Sequence, residues 1–163
     1  MKILELFCGT KSIGKVAEQM GHEVFSVDND PQHNPDYCVD MLKIDLNVIP
    51  WQPDMVWASP PCTTFSVASM GKHWAGGKKA YQPKTKEALI GLKLMAKTKG
   101  IILKLNPKVW WIENPRGVMR KVIGLDKYRH TVTYCQYGDK RMKPTDIWTN
   151  ATWMPRPMCK NGD

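Results

Sequence analysis

The sequence predicts a doubly wound α/β domain, with a mostly parallel sheet and helices on both faces. Three observations carry this. Short apolar, strand-like runs alternate with helical patterns along the chain. Each run stops at glycine, proline or acidic residues. Polar and reactive side chains stand just past the runs, where such sheets bind ligands at the carboxyl ends of their strands. One domain covering residues 1–163 is expected, long enough to bury a core without disulfides or metals.

Ile3, Leu4, Leu6 and Phe7 form a first apolar run, stopped by Gly9, which reads as a buried strand. Residues 12–20 read as a helix, with Ser12 as cap and Gly21 as stop. Residues 23–27 are a second strand that ends at Asp28, Asn29 and Asp30, after which Pro31 and Pro35 break the chain. Residues 54–58 are a third, ending at Ser59-Pro60-Pro61-Cys62. The stretch 69–86, rich in Gly and Lys, predicts a mobile basic loop. Residues 85–103 form the longest helical pattern, with Leu89, Leu92, Ala96 and Leu103 along one stripe. Residues 108–112 are a strand ending at Glu113-Asn114-Pro115. A short helix over 117–123 and strands over 131–135 and 146–149 complete the pattern.

The composition, 42% hydrophobic and 24% charged, suits a globular chain and argues against a disordered or collagen-like one. No apolar run approaches the roughly 20 residues that span a bilayer. The N-terminus reaches Glu5 too soon for a secretory signal, so a cytoplasmic protein is expected. The net charge of +9 fits a partner with phosphates, and also serves solubility. The five cysteines, Cys8, Cys38, Cys62, Cys135 and Cys159, have no zinc spacing. No structural metal is expected, and the thiols are expected to be free, in a reducing compartment.

Four constellations carry chemistry. In FCGTKSIG, residues 7–14, a glycine turn lets the backbone approach a ligand, and Asp28 can accept hydrogen bonds from ribose hydroxyls. A nucleoside-type cofactor fits. Lys11 stands where a second glycine is expected, and the same turn serves strand–helix packing equally well. In SPPCTTFS, residues 59–66, two prolines stiffen the chain before a thiol that nearby charge would activate. A buried structural cysteine is the other reading. In WWIENPRG, residues 110–117, a carboxylate ends an apolar strand, where desolvation raises its pKa toward acid work. A structural salt bridge with Arg116 is the alternative. In CQYGDKRMKPTDIW, residues 135–148, Lys140, Arg141 and Lys143 suit a phosphate or a base edge, or an ordinary solvated turn. Lys72, Lys78, Lys79, Lys84 and Lys86 lie near His73, Trp74 and Tyr81, a mix that suits stacking on nucleic acid, though charge runs are commonly solvated surface.

Together and in this order, the four segments resemble the DNA (cytosine-5)-methyltransferase family, in its small phage-type branch. FCGTKSIG resembles the family's cofactor motif and SPPCTTFS its Pro-Cys motif, including the Phe65-Ser66 pair. Glu113-Asn114-Pro115 resembles its Glu-Asn-Val motif, and YGDKRMKPT the segment leading into its Gln-x-Arg-x-Arg motif. The resemblance implies a Rossmann-like fold that binds S-adenosylmethionine, and DNA whose target cytosine is flipped out of the duplex. It implies Cys62 as the nucleophile on carbon 6, Glu113 as the group on ring nitrogen 3, and Lys143 as the retained charge of the last motif. The implied cofactor contacts are Phe7, Cys8, Gly9, Thr10, Ser12, Asp28, Asn29, Asp40, Met41 and Pro61, with Asp45 the other acid near Asp40. Ser66, Asn114, Arg116 and Arg141 are the implied substrate contacts.

The sequence departs from the family at Lys11, which replaces a glycine. In the last motif Arg141 falls at the Gln, Lys143 at the first Arg and Thr145 at the second. The variable recognition region and the final motifs would lie past Asp163, so target choice is expected from a separate subunit or a further C-terminal region. Three other readings compete. Exocyclic-amine methyltransferases have an aromatic residue where Cys62 stands. RNA cytosine methylation would use the same residues. A degenerate nucleic-acid-binding domain would not turn over.

Overall fold

The structure, a computed structural model, describes residues 1–77 and 80–159. Lys78 and Lys79 of the basic cluster, and residues 160–163, lie outside the described residues. The chain begins with β1 (Lys2–Leu6), α1 (Ser12–Gln19), β2 (Glu23–Asp28), β3 (Tyr37–Cys38) and β4 (Met55–Ala58). It continues through α2 (Met70–His73), β5 (Trp74–Ala75), β6 (Gln82–Pro83) and α3 (Lys86–Leu105). It ends with β7 (Val109–Pro115), α4 (Met119–Val122), β8 (Arg129–Thr133) and β9 (Pro144–Thr149).

Seven strands form one sheet in the order β3-β2-β1-β4-β7-β9-β8. The pairs β1–β2, β1–β4, β2–β3 and β4–β7 are parallel, and β8–β9 is antiparallel. The predicted doubly wound α/β class is therefore observed. The α1 crossover steps from β1 to β2 and the α3 crossover from β4 to β7, in opposite directions along the sheet. Right-handed crossovers then put these helices on opposite faces. Among the described residues no helix is long and apolar enough to cross a membrane.

The chain divides into two compact units. The first holds Met1–Pro60 and Leu92–Ile112, the second Pro61–Gly91 and the chain from Glu113 onward. The first unit's core is Ile3, Leu4 and Leu6 of β1 with Val27, Val56, Ala58 and Ile112. These strands read as near-continuous apolar runs because a parallel sheet is buried on both faces. Glu5 breaks that run yet is buried. Its carboxylate accepts the amides of Ile13 (3.3 Å) and Gly14 (3.1 Å). It thus satisfies two of the orphan donors at the start of α1. The predicted Ser12 cap is corrected: the cap position is Lys11, in the left-handed region at φ 58°, and no side chain caps the helix from there.

The predicted stripe of α3 is also corrected. Leu89, Ala96 and Leu103 are exposed and Leu92 half-buried, whereas Ala88, Met95, Thr98, Ile101 and Ile102 are buried. The helix is apolar on more than one face, so the helical period is satisfied by several registers and packing selects among them.

The second unit packs Phe65, Trp74, Val118, Met119, Ile123 and Trp148. Asp146 is fully buried and bonded to Arg120 and to Thr131 Oγ1 (2.8 Å). The stretch predicted as a mobile basic loop contains α2 and the antiparallel pair β5–β6. Trp74 is buried, its indole donating to the Thr64 carbonyl at 2.6 Å and packing on Phe65 with ring centroids 5.6 Å apart. His73 is buried too, its Nδ1 2.7 Å from Thr85 Oγ1. Neither is available as a stacking platform, because both anchor the loop. The expectation of free thiols is corrected for one pair. Cys135 and Cys159, 24 residues apart, form a disulfide. The chain after β9 returns to the end of β8, where the Cys159 amide donates to Thr133 Oγ1 at 2.9 Å. Cys8, Cys38 and Cys62 are free.

Candidate active site

In the first unit, the cofactor residues expected from the sequence, all except Pro61, gather past the ends of β1, β2 and β3. Phe7 leaves β1 with φ 57°, a left-handed conformation rare for a bulky side chain, and Gly9 follows at φ 48°. Cys8 is pinned between them by its amide on the Val27 carbonyl (3.1 Å). The Asp28 carboxylate accepts the Gly9 amide at 2.8 Å and the Asp30 amide at 3.0 Å. Thr10 and Ser12 are exposed, with hydroxyls 3.0 Å apart. Asn29 is exposed beside Asp28. The Val39 amide bonds the Asp28 carbonyl at 2.8 Å, which brings Asp40 and Met41 to the same edge. Asp40 is exposed and caps the Leu42 amide at 3.0 Å, while Met41 is buried. Burial pushes the Cys8 thiol up to about 11, with the charges of Asp28 and Glu5 adding to the rise. Cys8 is thus a packed thiol and not a nucleophile.

This edge fits a nucleoside bearing a positive charge. Each Asp28 oxygen spends one acceptor site on an amide and keeps capacity for a ribose hydroxyl. A Cβ at Gly9 would meet nothing within 4 Å, so the backbone there borders open space. Two of the amides at the start of α1, which bind pyrophosphate in dinucleotide folds, are already taken by Glu5. A cofactor with phosphates would also meet the Asp28 carboxylate at this edge, whereas a sulfonium cation suits that charge.

In the second unit, Pro61 is exposed and Cys62 half-buried at the start of a turn. The Cys62 carbonyl accepts the amides of Phe65 (2.9 Å) and Ser66 (3.0 Å). Ser66 forms a bridge with Gly117, and the Val118 amide donates to the Phe65 carbonyl at 2.8 Å. The thiol's turn is thereby stitched to the segment after Glu113. Glu113 and Asn114 belong to β7 itself, with Asn114 buried and Glu113 half-buried. Arg116 is exposed, and its amide bonds the Pro144 carbonyl at 2.9 Å. Lys143 sits just before that proline at φ 23°, its ammonium 4.8 Å from the Tyr134 ring centroid. Arg141 is exposed and paired with Asp139, whose carboxyl it holds down at about 2. Thr145, at the position of the family's second arginine, is buried and bonds the Lys143 carbonyl at 3.2 Å.

Three contributors escaped the sequence reading. Glu5 was legible only as a charge in an apolar run. Gly117 reads in the sequence only as the end of WWIENPRG and the start of a short helix, yet a Cβ there would fall on the Phe65 carbonyl oxygen. Tyr134, whose hydroxyl donates to Glu113 Oε1 at 3.2 Å, had no signal beyond its place beside the Tyr-Gly segment. Among the described residues no group of three or more His, Cys, Asp or Glu is placed to hold a metal.

The C-5 cytosine-specific DNA methylase family profile matches residues 1–132. The chain is 36% identical to the "Probable DNA (cytosine-5)-methyltransferase" of Frog virus 3, over 98% of this chain and 75% of that protein. It is 28% identical to the type II methyltransferase M.AgeI of Thalassovita gelatinovora, over 73% of this chain and 29% of that one. Two solved structures share the fold. One is a prophage-encoded E. coli protein assigned as a DNA modification methyltransferase, with TM-score 0.60, 15% identity, and coverage of 91% of this chain and 46% of that one. The other is the S. pombe Dnmt2 methyltransferase, with TM-score 0.57, 13% identity, and coverage of 95% and 52%. The chain thus spans about half the length of these solved relatives.

Proposed function

The chain belongs to the C-5 cytosine-specific DNA methylase family, and from that premise we propose that it methylates carbon 5 of cytosine in DNA. The observation that carries this reading is the stitching of the Cys62 turn to the segment that follows Glu113, through Phe65 and Val118. One thiol and one carboxyl are held in the same unit by backbone bonds, as a two-point hold on a cytosine ring requires.

Cytosine carbon 5 is a poor nucleophile. The Cys62 thiolate adds to carbon 6 of the flipped base, making a Cys62–carbon 6 bond. Glu113 holds and protonates ring nitrogen 3, so the electron pair gathers at carbon 5. S-adenosylmethionine, when bound, supplies an electrophilic methyl group. Transfer of the carbon 5 proton to a base then expels the thiolate, and nitrogen 3 returns its proton to Glu113, which restores the ring. Phe7, Cys8, Gly9, Thr10, Ser12, Asp28, Asn29, Asp40, Met41 and Pro61 are assigned to the cofactor. Asp28 takes the ribose hydroxyls, and Asp40 with Met41 the adenine. Ser66, Asn114, Arg116 and Arg141 are assigned to the DNA, with Lys143 beside the base. An exocyclic-amine reaction gains nothing from a thiol at position 62, which favours carbon 5.

The test incubates the chain with tritiated S-adenosylmethionine and mixed-sequence duplex DNA, then digests the DNA to nucleosides. Label is expected in 5-methylcytosine, and Cys62→Ala is expected to abolish it while cofactor affinity stays within about twofold. Full activity in Cys62→Ala overturns the nucleophile. Label in an exocyclic amine overturns the reaction, and the absence of label from a folded chain points to a missing segment or to binding without turnover, which repeating the assay with a C-terminally extended chain separates.

A further inference from the structure

We infer that Tyr134 is a positioning residue for Glu113: its hydroxyl holds the carboxylate, and the Lys143 charge over its ring strengthens that hold. The inference rests on the role of Glu113 proposed above.

The Tyr134 hydroxyl donates to Glu113 Oε1 at 3.2 Å. Tyr134 itself is fixed from both ends of the turn that follows β8. Its amide donates to the Met142 carbonyl at 2.9 Å, and its carbonyl accepts the Asp139 amide at 3.2 Å. The same turn delivers Lys143, whose ammonium lies 4.8 Å from the Tyr134 ring centroid. A cation over a phenol ring draws charge from the ring and polarises its O–H, so the donor grows stronger. Burial raises the phenol above its ordinary value, and the Glu113 charge adds to the rise, so it keeps its proton throughout the neutral range. It therefore always donates to Glu113 and never competes as an anion.

Glu113 lies within β7, so its backbone is fixed while its carboxyl can still turn about its side-chain bonds. A donor on Oε1 restrains that rotation and helps set the direction of the other oxygen. This is what a group that must meet a planar ring nitrogen needs. The arrangement also makes use of Lys143 without requiring it to touch the base. Its charge reaches Glu113 through the phenol.

The test uses Tyr134→Phe, which keeps the ring and its contact with Lys143 and removes only the hydroxyl. Thermal unfolding first verifies that the variant is folded. The expected result is a fall of about tenfold in kcat, with KM for S-adenosylmethionine unchanged. The pH–rate limb set by Glu113 should move upward by half a unit or more, because the charged form has lost a donor. Glu113→Gln should lack that limb, and adding Tyr134→Phe to it should cost less than twofold. Loss of a merely structural tyrosine would lower activity at all pH values alike, and equally in both backgrounds. That outcome overturns the inference.

A readout without turnover separates this inference from the reaction itself. The chain has five glutamates, so 13C-glutamate labelling with Glu113→Gln assigns the Glu113 carboxyl signal. Its titration midpoint should rise in Tyr134→Phe. An unchanged midpoint overturns the inference even if methylation is confirmed. If the wild-type chain transfers no methyl group, the proposed reaction falls and the titration alone decides the Tyr134–Glu113 coupling.

Discussion

The Asp28 carboxylate accepts the Gly9 amide at 2.8 Å, so the acid that ends β2 also shapes the turn that ends β1. Its other oxygen takes the Asp30 amide at 3.0 Å. Ligand binding and local structure therefore share one side chain. Asp28→Ala leaves two backbone donors without their acceptor, at a cost of about 2 kcal/mol in stability. For a chain of this size that is a fall in Tm of roughly 4–8 °C. Affinity for S-adenosylmethionine should fall by about tenfold or more as well. Calorimetric melting of the cofactor-free protein and equilibrium binding check the two effects separately. An unchanged melt with weakened binding would assign Asp28 to the ligand alone.

Lys11 occupies the left-handed region at φ 58° and caps α1 without a side-chain bond. A glycine there avoids the Cβ clash, though it also gives the unfolded chain more freedom. Lys11→Gly should stabilise the protein by about 0.5–1 kcal/mol. Tm should then rise by roughly 2 °C, measured in paired melts. A fall in Tm would show that the lysine charge near Glu5 outweighs the backbone cost.

The cysteines should sort into three classes under alkylation. Cys38 and Cys62, exposed and half-buried, should react with iodoacetamide at pH 8. Cys8, buried with its pKa pushed up to about 11, should be spared at pH 8 and react only as the pH approaches that value, because the thiolate is the reactive form. Cys135 and Cys159 should react only after a reductant is added. Peptide mass mapping at pH 8 and pH 10.5, with and without reductant, reads all five positions. Rapid labelling of Cys135 without reductant would contradict the pairing.

The sheet was legible because it is built from local signals. Runs such as Ile3 to Leu6 stop at glycine or proline, and every strand of the seven-stranded sheet except the two-residue β3 was found to within a few residues. The site was legible where one motif holds its own residues, as in the Pro61–Cys62 turn. What escaped depends on contacts between distant segments. Trp74 looked like a free ring among lysines, and only its bond to Thr64 shows it to be core. Cys135 and Cys159 are unremarkable in a chain with five scattered cysteines, and only the return of the chain after β9 pairs them. The α3 stripe failed for a different reason. Its period was right, but an apolar helix offers several registers, and sequence does not rank them.

The close approach of Gly117 to the Phe65 carbonyl has an evolutionary consequence. Residues 61–66 and 113–118 form a single heritable block. A recombinant that takes its thiol turn from one relative and its acid strand from another must match backbone to backbone at that crossing, where no side chain can give way. Position 117 tolerates almost no drift, because any side chain there falls on the Phe65 carbonyl. Methylases that diverge in target choice can therefore be expected to do so around this block and to inherit the block whole.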